Sequence, residues 1–151
     1  MPSLHNTCPM VNKHSTHEYQ VVIDAPLDAV WNVLALRFDD VGDWSTGVPG
    51  SRVADVLGAE GAPVPGRVCE SFWRGFDDVT ETIVEYGEDP YFFKYIATGT
   101  PAWMGVASNT WHVDCPACAP CLVRTADYGV LLGEPSLIAL YLLISLVAGG
   151  S

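Results

Sequence analysis

Polar and apolar positions alternate through Tyr19–Ile23 and then change period at Ala25-Pro26. Beyond that point Leu27, Val30, Trp31 and Leu34 fall at i, i+3, i+4 and i+7, a single apolar stripe on a helix of about three turns. Pro26 suits the first helical position because its missing N–H would have no partner there, and Asp28 complements the helix dipole. Asp39–Trp44 reads as a second short helix or tight turn. Strand-like stretches follow at Ser51–Leu57, Arg67–Trp73, Val79–Tyr86, Tyr91–Thr98, Gly105–Val113 and Leu122–Tyr128. The loop Gly58–Gly66, a turn around Gly75–Asp78 and a cysteine-proline loop at 115–121 separate some of them. Strands joined by such short links pair antiparallel, since parallel neighbours need long crossovers.

These elements predict an α+β domain: a curved seven-stranded antiparallel sheet, two short helices after the first strand, and a C-terminal helix at about 135–148 packed over the sheet. Residues 1–17 read as a polar lead-in and 18–151 as one domain. The lead-in has no apolar core or cleavage pattern of a secretory signal. Its histidines and Cys8 read as solvated rather than as a metal site.

Eighteen acids against seven bases give a net charge of −11, with no Lys/Arg cluster, so nucleic-acid binding is excluded. Five cysteines, an odd number, and no Asn-x-Ser/Thr acceptor point to a reducing cytoplasm. Cys115, Cys118 and Cys121 have metal-ligand spacing but lack an evident fourth ligand, so neither a metal nor another cofactor is expected.

The segments IDAPLDAVWNVL, VPGRV and VTETIVEYGEDPYFFKYIATGTPAWMGVASNTWHV resemble the START-like, helix-grip superfamily, in its polyketide cyclase/dehydrase and lipid-transport branch. The residues that carry the resemblance are Ala25, Pro26, Val30 and Trp31 at the helix start, Pro65-Gly66, Glu81 and Tyr95. It covers about residues 18–130. The resemblance implies a ligand cavity rather than a fixed chemistry, because members bind or carry lipids, hormones and polyketides and only some are catalysts. The C-terminal segment departs from the family pattern, being apolar all round instead of amphipathic. Its run from Leu137 to Ala148 is shorter than the roughly 18–20 residues that cross a bilayer, so a buried cavity helix is expected, with a membrane-associated tail as the alternative.

Alternation turns Phe93 and Tyr95 inward if Lys94 faces solvent. Glu81 on the face of Ile83, and Arg124 on the face of Tyr128, would form an interior ion pair. Glu81, Phe93, Tyr95, Trp111, Arg124 and Tyr128 are therefore the candidate ligand-binding residues. The expected function is binding or transport of a hydrophobic small molecule by a monomer or weak dimer. The alternatives are a cyclase or dehydratase using Glu81 or Tyr95, and a lipid-handling protein docked on a membrane through its tail.

Overall fold

The computed structural model describes residues 15–45, 48–71, 77–100, 107–117 and 120–129, with the side chains at 15–17, 19 and 127–129 left out of that description. The expected C-terminal helix at 135–148 lies outside the described residues, as do Trp73 and Trp103. β1 (Ser15–Ile23) leads into α1 (Leu27–Trp31), which continues as a π-helical turn, Asn32–Leu36. A 3₁₀ turn, Phe38–Asp40, and α2 (Val41–Trp44) follow. The sheet is then built from β2 (Ser51–Val53), β3 (Gly66–Cys69), β4 (Val79–Glu88), β5 (Tyr91–Thr98), β6 (Ala107–Asp114) and β7 (Cys121–Gly129). Strand order is β1-β7-β6-β5-β4-β3-β2, every neighbouring pair antiparallel, so β2 to β7 form a meander and β1 closes against the last strand.

Several boundaries differ from the pattern reading. β1 begins at Ser15, inside the expected lead-in, because Ser15 pairs with Gly129 and extends the ladder with β7. β2 is short: Ala54 N–H still bonds Gly66 O at 3.0 Å, but the chain then leaves the sheet. Pro26 is the cap rather than the first helical residue, and its carbonyl accepts the first helical bond from Val30 N–H at 3.1 Å.

Trp31 fastens α1 to the sheet. Its ring lies 5.1 Å from Tyr91 and 5.9 Å from Phe93, both edge-on, and 5.8 Å from Tyr86. The second helix is held from the other side. Ser51 Oγ accepts from Gly42 N–H at 2.8 Å and donates to Asp39 O at 2.6 Å. Gly42 is required there, because a Cβ would stand 2.7 Å from Ser51 N.

A β-bulge between Ile83 and Glu85 decides what β4 shows to each face. Before it, Glu81 and Ile83 point to the concave side; after it, Glu85 pairs with outward-facing Lys94, and Tyr86 pairs with inward-facing Phe93. Strict alternation would have sent Glu85 inward. The core therefore comprises Ile23, Val30, Leu34, Phe38, Ile83, Phe93, Trp111, Val113 and Val123 on facing surfaces of helix pair and sheet. Burying Phe93 alone contributes about 2–3 kcal/mol.

Candidate functional site

The concave face changes character along the strands. Toward α1 it is apolar, with Ile23, Phe93, Val113, Cys121 and Val123 nearly inaccessible. Further along it carries Arg67 and Cys69 on β3, Glu81 on β4, Tyr95 on β5, Asn109 on β6 and Thr125 on β7. Thr125 Oγ1 donates to Asn109 Oδ1 at 2.5 Å.

Arg67 is the centre of this polar band, only 4% exposed. Its Nε donates to Glu81 Oε2 at 2.5 Å and its Nη1 donates to Phe38 O at 2.9 Å. The guanidinium also lies 3.9 Å over the Phe38 ring and 5.5 Å from that of Tyr95. Burial works against its charge, but Glu81 outweighs it, with help from Cys69 and Tyr95, so the Arg67 pKa is raised. Cys69, whose Sγ is 3.9 Å from Glu81 Oε2, is pushed from 9.0 up to about 12 by burial and then by the Glu81 charge. At neutral pH it is a protonated, unreactive thiol.

Among the described residues the helix pair packs closely on the sheet. The hollow lined by Leu34, Phe38, Trp44, Arg67, Phe93 and Trp111 measures about 10 Å³, room for one water-sized group. Trp44 Nε1 is buried with no hydrogen-bond partner, and it is the one such side-chain atom among the described residues. A second hollow, of about 430 Å³, opens to solvent between α1 and the end of the β4–β5 hairpin and is lined by Leu27, Asp28, Trp31, Leu36, Glu88 and Tyr91. There Trp31 Nε1–H donates to Tyr86 OH at 3.3 Å, and Tyr86 OH donates to Glu88 Oε1 at 2.6 Å. Burial and then the Glu88 hydrogen bond push Tyr86 up from 10.0 to about 12.

Of the six residues singled out from sequence, four meet around the polar band. Phe93 is stacked with Trp111 at 6.2 Å and meets Phe38 edge-on at 5.6 Å. Tyr95 packs on Phe38 at 5.4 Å, and Glu81 is bound to Arg67. Arg124 does not join them. It is exposed on the outer face opposite Gln20 and His112, so the expected Glu81–Arg124 pair does not form. Inward positions on β7 are Val123 and Thr125, which places Arg124 on the other side of the pleat. Tyr128 lies opposite Thr16 and Ser108, and its side chain is outside the described residues.

Sequence reasoning missed Arg67 because it closed the β3–β4 hairpin too late. The ladder ends at Cys69–Val79, which sets Arg67 directly across from Glu81. A sharper signal was available in Gly66-Arg67-Val68-Cys69, where Arg67 shares the parity of an apolar-type cysteine. Gly66 fits only without a side chain, since a Cβ would stand 2.4 Å from Glu81 O.

The cysteine loop is also corrected. Cys115 and Cys121 follow the last β6–β7 pair, Asp114–Leu122, and are joined as a disulfide. Two of the three weak metal candidates are thereby spent, and Cys118 lies outside the described residues. No group of three His, Cys, Asp or Glu side chains suited to a metal occurs among the described residues. No helix among them is long and apolar enough to cross a membrane.

A curved antiparallel sheet of seven strands, with two short helices closing one end, is the helix-grip fold. The profile of the polyketide cyclase/dehydrase and lipid transport family matches residues 15–138, and the chain belongs to that family. Among solved structures, it is similar to a point mutant of norcoclaurine synthase from Thalictrum flavum in complex with a transition-state analogue. The TM-score is 0.65 at 12% identity, covering 89% of this chain and 92% of that one. Major latex-like protein 151 from Panax ginseng is similar with TM-score 0.65 and 16% identity over 89% of this chain and 93% of its own. Ara h 8.0201 has TM-score 0.68 and 11% identity over 90% and 97%. At such identities the likeness shows the fold alone. No curated protein matches the chain.

Proposed function

We propose that this chain binds and carries a hydrophobic small molecule against the concave face of its sheet. The observation that carries the reading is the aromatic wall of Phe93, Tyr95 and Trp111 beside an ion pair already neutral in itself. Apolar walls supply affinity at about 25 cal/mol per Å² buried, and a few fixed polar groups set orientation. Family membership and the shared fold support a hydrophobic-ligand scaffold.

Carriage is favoured over catalysis by how the two candidate acid–base groups are used. Glu81 is committed to Arg67, and the Tyr95 ring packs on Phe38 within reach of the same guanidinium. A general acid or base needs a proton path to the reacting atom rather than a structural partner of this kind. Native mass spectrometry of the purified protein exposed to mixtures of lipids, polyketides and other apolar molecules tests the proposal. Retention of one apolar molecule per chain is expected. Retention of none across the mixtures would overturn it.

A further inference from the structure

The solvent-open hollow beside α1 has, at about 430 Å³, the volume of a small-molecule site, which the tight one at Trp44 does not. Trp31 is nearly buried there and braced by Tyr86 and Phe93. The surfaces a guest would meet are half-buried Leu27 and Tyr91, and Leu36, which is 43% exposed. Asp28 in the first turn of α1 and Glu88 at the end of β4 complete the lining, both exposed.

Charge decides what such a hollow takes. Among the described residues, Arg37 pairs with Asp40 and Asp43, Arg52 with Asp78, Arg67 with Glu81 and Lys94 with Glu85, while Arg124 stands on the outer face of β7. None of these cations lines the hollow, so Asp28 and Glu88 face it uncompensated by them. Glu88 is also held in place. Trp31 Nε1–H donates to Tyr86 OH, which donates to Glu88 Oε1, so this carboxylate is fixed at the hollow with Oε2 left open. Asp28 Oδ1 accepts from Ala29 N–H at 3.0 Å and leaves Oδ2 open in the same way.

Two negative charges beside apolar walls repel a fatty acid and offer a plain hydrocarbon no use of their field. An ammonium group is attracted to both carboxylates, and an aromatic ring such as Tyr91 adds to that attraction when a cation lies over its face. The geometry points to this hollow as a binding site for a small amphiphilic ammonium compound, its nitrogen at Asp28 and Glu88 and its apolar body on Leu27, Leu36 and Tyr91. The site is separate from the concave face and does not depend on the carrier reading.

The test is calorimetric titration of the full chain with hexylammonium, hexanol, hexanoate and methylammonium, with the methyl resonances of Leu27 and Leu36 and the ring resonances of Tyr91 followed alongside. Hexylammonium is expected to bind most tightly, to move those resonances, and to weaken as salt is added. Asp28→Asn combined with Glu88→Gln should weaken hexylammonium about threefold to tenfold and leave hexanol unchanged. The ranking of the four probes needs no variant, so the test stands even if the double variant folds poorly. Hexanol binding as tightly as hexylammonium would make the hollow a plain apolar cleft and overturn the inference. Methylammonium binding as tightly would show only the general acidity of the chain, and would overturn it too. Absence of hexylammonium binding, or binding with the three residues' resonances unmoved, would also overturn it, and each of these outcomes leaves the carrier reading intact.

Discussion

Glu81 and Glu85 sit four residues apart on one strand and meet opposite fates. Glu81 faces the concave side, 12% exposed, and holds Arg67 at 2.5 Å. Glu85 faces outward, 56% exposed, and lies 3.5 Å from Lys94. The bulge between Ile83 and Glu85 separates them. Without it both carboxylates would enter the interior, where one guanidinium could not compensate two charges. A single irregularity in β4 thus keeps a second, uncompensated carboxylate out of the concave face. It also turns Tyr86 inward to brace Trp31 and sets Glu88 at the solvent-open hollow beside α1.

The two pairs should respond very differently to being broken. Arg67→Met strands Glu81 in the interior and is expected to cost about 3–5 kcal/mol, read as a lower urea midpoint. The double variant Arg67→Met with Glu81→Leu should recover most of that loss, since both charges leave together. A double variant as unstable as the single one would mean that the pair is needed for more than mutual neutralisation.

Alkaline titration probes the same island through Cys69. Its folded pKa of about 12 lies above the unfolded value near 9.0, so the protonated thiol stabilises the fold fully below pH 9. Above that the unfolded chain loses the proton and the folded chain keeps it. Stability therefore falls by about 1.4 kcal/mol per pH unit from this group. Tyr86 adds a loss of the same sign from pH 10 upward. Thermal melts of Cys69→Ser between pH 9 and 10 should show a flatter decline than the unsubstituted protein. Parallel declines would contradict the shielding of the island.

The outer pair supplies the smallest effect. Glu85→Gln should change the unfolding free energy, read from urea titration, by less than about 1 kcal/mol, because Glu85 is 56% exposed and its contact with Lys94 is screened. A larger loss would show that the bulge itself depends on that contact.

Much of the fold was legible in alternation and in the helical stripe. Phe93 and Tyr95 turn inward as the pattern around Lys94 indicated, and the stripe on α1 docks where it should. Features set by register were hidden. The bulge at β4 has no residue signature, and the early closure of the β3–β4 hairpin displaced Arg67 from view. Arg124 was misplaced for a related reason: strand parity on β7 is fixed by Val123 and Thr125, and a one-residue error exchanges the faces. The Trp44 hollow depends on side-chain packing between elements far apart in sequence, which no local pattern encodes. The disulfide required knowing that Cys115 and Cys121 extend one ladder.

Where a guest molecule lies decides between the two hollows. Aromatic and amide chemical-shift mapping with an apolar molecule retained in native mass spectrometry should move the resonances of Phe93, Tyr95 and Trp111 and leave those of Leu27, Leu36 and Tyr91 in place. Shifts confined to the latter three would place binding in the hollow between α1 and the β4–β5 hairpin and contradict the account.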